Sequence, residues 1–195
     1  MKMTHKIAIA AAAAITIAVL AMAQNPAAKK GPAGPGLTLT TTAFEDGGII
    51  PNKYTQQDSK PVSPKLTWTH VPAGTASFAL IFHDPDTAPM KSSEDILHWM
   101  AFNIPGDARE LPEGMSDAAK LPDGTIQAKS RRGTPGYMGP GAGAAGPYHH
   151  YTFELYALDT KLELTADATR AEVIKAMDGH VLGKGVVFGR FHRTQ

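Results

Sequence analysis

The chain has 195 residues, no cysteine, a formal net charge of +1, 43% hydrophobic residues and 19% charged residues. This profile excludes a wholly disordered chain, a disulfide framework, a thiolate zinc site and a cysteine nucleophile, and it lacks the clustered basic excess of a nucleic-acid footprint. The 19 glycines and 15 prolines favour a loop-rich, mostly β architecture over a helical bundle.

Residues 1–23 read as a signal peptide. Lys2 and Lys6 form a positive n-region, Ile7 to Leu20 is apolar except for Thr16, and Ala21-Met22-Ala23 supplies the small-x-small cleavage pattern. The apolar run is shorter than the roughly 20 residues that span a bilayer. The expected product is a periplasmic or secreted protein beginning at Gln24, and losing Lys2 and Lys6 takes the net charge from +1 to −1. Residues 24–36, rich in Pro, Gly and Ala, read as a flexible leader. Residues 37–195 read as one β-rich domain.

Leu37, Leu39 and Thr41 alternate with threonines, and Glu45-Asp46-Gly47-Gly48 supplies a turn. Ser63 to Trp68 predicts a short strand with Leu66 and Trp68 on one face. Phe78 to Phe82 is an unbroken apolar run, as in a strand buried on both faces, and Leu97 to Ile104 is another. Tyr151 to Leu158 predicts a third strong strand, with Tyr151, Phe153, Leu155 and Ala157 on one side. Thr169-Arg170-Ala171-Glu172 fits a capping box for a helix carrying Val173, Ile174, Ala176 and Met177, which Gly179 closes. A second short helix over His180 to Lys184 and a last strand over Val186 to Phe191 complete the reading. The expected core includes Trp68, Phe78, Leu80, Phe82, Trp99, Phe102, Phe153 and Leu155.

Three polar groups stand at the ends of apolar strands. Asp84 follows the Phe78–Phe82 run, and Pro85 stops that strand because it cannot donate to a ladder. Asp86 is expected to cap the turn that follows, leaving Asp84 with no local role. His98 lies between Leu97 and Trp99, and His149 shares a strand face with Tyr151 while His150 points the other way. Each has a plainer reading as a core or turn residue. Gly133 to Gly146 holds six glycines and two prolines, and its unhindered N–H groups could approach an anion. No Gly-Lys-Ser/Thr follows it, so it is not a P-loop. Arg131 and Arg132, just before it, could stand at a pocket rim or simply be solvated.

Ser63-Pro64-x-Leu66-x-Trp68, Asp84-Pro85-Asp86, His98-Trp99, Gly136-Tyr137-x-Gly139-Pro140 and the run from His149 to Asp159 occur in one order. Together they resemble the phosphatidylethanolamine-binding protein family, in its bacterial Raf-kinase-inhibitor-like branch, from about Leu37 to Arg193. The resemblance implies a mostly β fold with a large central antiparallel sheet, a smaller sheet and C-terminal helices. It also implies a small anion pocket at one end of the main sheet, carried over to Asp84, His98, Gly141, His149 and Tyr151. The chain departs from the family pattern twice. Asp84-Pro85-Asp86-Thr87-Ala88-Pro89 is one residue longer than Asp-Pro-Asp-x-Pro, and Ala142-Gly143 stands where a Pro-Pro pair is usual.

A carboxylate beside two imidazoles is expected to raise their pKa values above ~6.5. The charged histidines, the loop N–H groups and a proton from Tyr151 would then hold a phosphate- or phosphoethanolamine-like anion by charge-assisted hydrogen bonds. No nucleophile with an adjacent base stands out and no cofactor is implied, so the sequence reads as a binding module and not an enzyme. Two classes compete with it: a mononuclear metalloenzyme ligated by Asp84, His98 and His149, and a protein-interaction or inhibitor module with its surface outside the pocket. Kinase inhibition is not carried over to an exported chain. The sequence names no protein partner and leaves a homodimer open.

Overall fold

The computed structural model describes residues 35–194; the expected signal peptide and most of the expected leader lie outside the described residues. Along the chain run β1 (Thr38–Thr41), β2 (Leu66–Thr69), β3 (Ser77–Asp84), β4 (Ile96–Pro105), β5 (Glu110–Leu111), β6 (Ile126–Ala128), β7 (His149–Leu158), α1 (Arg170–Met177) and β8 (Val181–Phe191). They form a three-stranded sheet in the order β1-β2-β5 and a five-stranded sheet in the order β6-β4-β3-β7-β8. Every strand pairing in both is antiparallel.

Strand β3 lies at the centre of the larger sheet, and all eight of its residues are buried. Its even-numbered side chains Phe78, Leu80 and Phe82 join Trp68, Phe153 and Leu155 in the core that links the two sheets. Ala79 and Ile81 face the other way, into a second core with Met100, Phe102 and the helix residues Val173 and Met177. All eight expected core residues are buried, but Phe102 belongs to this second core. Ordinary alternation along β4 puts Trp99 and Ala101 in the first core and Met100 and Phe102 in the second. Beyond Phe102 the register of β4 slips by one residue against β3, Asn103 takes a left-handed φ of 57°, and Ile104 returns to the first core. The Asn103 amide then grips both the N–H and the carbonyl of Leu162.

The capping box at Thr169 and Glu172 forms as the sequence predicts, and α1 covers the second core. No helix follows it over His180 to Lys184; that segment opens β8. Val181 and Gly183 make it a poor helix, and Gly183 and the following Gly185 are needed for packing. A Cβ on Gly183 would lie 2.9 Å from the Pro72 ring, and one on Gly185 would lie 3.0 Å from the Leu37 carbonyl. Extended backbone lets this strand pass close under β1. Among the described residues no helix is long and apolar enough to cross a membrane.

Candidate functional site

The antiparallel order of β4, β3 and β7 brings the end of β3 beside the starts of its two neighbours. Asp84 continues the Phe82 face by strand period, and His149 and Tyr151 continue the Phe153 face of β7. His98 reaches the same place by a different route. Phe82 pairs with Trp99 and His83 with Leu97, so His98 is an extra residue in β4, a β-bulge. Strict alternation would send His98 and Trp99 to opposite faces; the bulge turns both onto one. His98 packs between Phe82, at 5.4 Å between ring centroids, and Tyr151, at 5.2 Å and edge-on.

Hydrogen bonds fix how each group presents itself. His149 Nδ1 lies 2.9 Å from Asp84 Oδ2, and His98 Nδ1 lies 2.9 Å from the Met138 carbonyl. A carbonyl only accepts, so His98 Nδ1 carries the proton, and a carboxylate asks the same of His149. Both Nε2 atoms are left for a ligand. Burial pushes the His98 imidazole below the ordinary histidine range, against the upward pull of its Met138 bond and of the Asp84 charge. This reverses the expectation of a raised value: His98 is 3% exposed, and loss of hydration outweighs the neighbouring carboxylate.

Tyr151 also departs from expectation. Its hydroxyl oxygen accepts the N–H groups of Gly141 at 3.2 Å and Ala142 at 3.0 Å. These two loop amides are therefore directed at Tyr151 and do not cradle an anion. Burial, reinforced by the Asp84 charge, pushes the phenol far above its usual range. Gly139 serves packing: a Cβ there would sit 2.8 Å from the Tyr54 carbonyl, and Gln56 bonds to the Gly139 and Pro140 carbonyls.

The turn residues exchange their expected roles. Asp84 Oδ1 accepts the Asp86 N–H at 2.8 Å, so Asp84 shapes the turn as well as holding His149. Asp86 instead accepts from the His150 N–H at 2.6 Å and lies 2.9 Å from its Nδ1. These bonds hold the Asp86 carboxyl below its usual range although partial burial pulls it up. The lengthened loop folds into a 3-10 turn over Ala88–Met90.

Asp84, His98, Gly141, His149 and Tyr151 all line one cleft of about 900 Å³. Arg131 and Arg132 are at its wall, as is Arg193, which the sequence reading passed over because nothing around it but its place after the last strand marks it. His83 was missed too. It is buried on the opposite sheet face, with Nδ1 2.7 Å from Asp95, and takes no part in the cleft. Among the described residues no three His, Asp or Glu side chains converge as metal ligands; Asp84 and His149 face each other as hydrogen-bond partners.

The family model for phosphatidylethanolamine-binding protein matches residues 40–192. A UPF0098 protein of Methanothermobacter thermautotrophicus is 45% identical over 157 residues, covering 80% of this chain and 99% of its own. The UPF0098 protein YbhB of Escherichia coli is 34% identical over 157 residues, covering 78% and 92%. Among solved structures, E. coli YbcL, described as a member of the mammalian PEBP family, superposes with a TM-score of 0.71 at 26% identity, covering 82% of this chain and 100% of its own. A PEBP homologue from Chlamydia trachomatis gives a TM-score of 0.69 at 30% identity, covering 81% and 98%.

Proposed function

Because the chain belongs to the phosphatidylethanolamine-binding protein family, we propose that it is an exported binding protein whose cleft captures a small phosphate-type anion. One observation carries the reading: two imidazoles line one cleft with both Nδ1 atoms already engaged, leaving both Nε2 atoms for a ligand. The Tyr151 hydroxyl supports a binding reading over a catalytic one. Tyr151 is held far from ionisation and occupied by two amides, so it is no nucleophile.

The proton inventory sets the pH dependence. With their Nδ1 protons donated to Met138 and Asp84, a neutral His98 and a neutral His149 each offer only a lone pair at Nε2, which repels a phosphate oxygen unless a proton joins it. Such protons come from solvent, or from a phosphomonoester monoanion, whose second pKa is ~6. Either route makes the complex richer in protons than the neutral imidazoles plus dianion. Affinity should therefore fall as pH rises, by up to about tenfold per unit for each proton taken up on binding.

Calorimetric titration with inorganic phosphate tests the site. His149→Ala removes one charge-assisted bond, worth roughly 1.5–3 kcal/mol, or about ten- to a hundredfold in affinity. Wild-type protein that binds no phosphate, or a His149→Ala variant that binds it equally well, would remove the cleft from consideration.

A further inference from the structure

Beyond its histidine floor the cleft has a second charged region. Arg131 follows β6 and Arg193 follows β8, the two edge strands of the larger sheet, yet both line the cleft. Main-chain bonds hold each in place: the Arg131 N–H donates to the Leu97 carbonyl at 2.9 Å, next to His98. The Arg193 N–H donates to the carbonyl of Ala142 at 3.0 Å, and the Ala142 N–H in turn bonds to Tyr151.

The carboxylates of the cleft make no ion pair with these two arginines. Asp84 is bonded to His149 and the Asp86 amide, Asp86 to His150, and Asp58 to the Lys60 amide. Arg132 is engaged by Thr134 and lies 3.9 Å from Asp117. Among the described residues Arg131 and Arg193 form no ion pair, so both guanidinium groups are free to meet an anion. The two arginines approach the cleft from opposite edges of the larger sheet, so a ligand with two anionic groups can engage both. The volume of about 900 Å³ lies near the top of the ~300–1,000 Å³ that small-molecule pockets occupy, and Ile96, Met138 and Met90 give its wall an apolar portion.

Resting on the anion-binding reading above, we infer that the cleft takes a phosphate-type group carrying a second anionic group across a short apolar body. A zwitterionic headgroup would leave both guanidinium groups without an anionic partner. Arginine suits the task, since its planar fork meets carboxylate or phosphate bidentately and keeps its charge at every relevant pH.

The test titrates the protein with inorganic phosphate, phosphoethanolamine, phenyl phosphate and 4-carboxyphenyl phosphate, in wild type and in Arg131→Gln, Arg193→Gln and the double variant. The expected result is that 4-carboxyphenyl phosphate binds about three- to tenfold tighter than phenyl phosphate at low salt. That ratio should shrink as salt is added and fall to about 1 in the double variant, while phosphoethanolamine gains nothing over inorganic phosphate. Urea midpoints matching wild type show that the variants are folded. A ratio near 1 in wild type, or a ratio that survives in the double variant, would overturn the inference while leaving the phosphate site standing. If neither inorganic phosphate nor phenyl phosphate binds wild type, the underlying reading fails and this inference with it.

Discussion

His98 serves the folded state and the ligand in opposite protonation states. Packed between Phe82 and Tyr151 and bonded to Met138, it is most stable neutral; facing an anion, it needs a proton on Nε2. Asp84 moderates the conflict, since its charge is one of the influences that raise the His98 pKa. Asp84→Asn keeps the shape and removes that pull, so His98 titrates at still lower pH. Phosphate affinity measured by calorimetry between about pH 5 and pH 9 should decline at lower pH in Asp84→Asn than in wild type. Superimposable pH profiles would show that Asp84 does not act electrostatically on the site.

At the scale of the elements, the site exists because one strand breaks its own alternation. The buried run of β3 and the period-two face of His149 and Tyr151 are written in the apolar pattern, and the structure reproduces both. The bulge at His98 is not written there, because it arises from pairing with β3 and no residue type in Leu97-His98-Trp99 demands it. For the same reason the sequence could not show that Gly141 and Ala142 direct their amides at Tyr151, or that Arg193 returns to the cleft. Val181 and Gly183 argue against a helix there, but the reason β8 extends through Gly183 and Gly185, the approach of Pro72 and Leu37, was hidden. Packing between these elements gives two stability predictions. Phe153 stacks on Phe82 with ring centroids 3.8 Å apart, and Phe153→Ala should cost roughly 3–5 kcal/mol in urea denaturation; a loss below ~1 kcal/mol would show that the two sheets do not pack through it. Thr169→Ala removes half of the capping box on α1 and should cost about 1 kcal/mol, with no effect on phosphate binding.

For the molecule as a whole, the lowered His98 pKa links stability to acidity. The unfolded chain binds a proton near pH ~6.5 that folded His98 resists, so this contribution is fully present above that value. It is lost as pH falls from there toward the lower folded value. Urea midpoints should drop between about pH 7.5 and about pH 5, and the drop should be smaller in His98→Gln; an equal drop would place the acid sensitivity elsewhere. Phosphate opposes the same change, because the bound anion favours the protonated imidazole that burial disfavours. Export is tested separately by intact mass: a periplasmic species beginning at Gln24 is expected, and a membrane-bound species retaining Met1 would contradict it. The most direct test of the anion-binding account is the nitrogen-15 signature of the histidine side chains during a phosphate titration. Of the eight histidines, His98 should change from a bare to a protonated Nε2 as phosphate saturates, with its Nδ1 proton unchanged, and His149 should shift with it. A His98 that keeps a bare Nε2 in saturating phosphate would contradict the account.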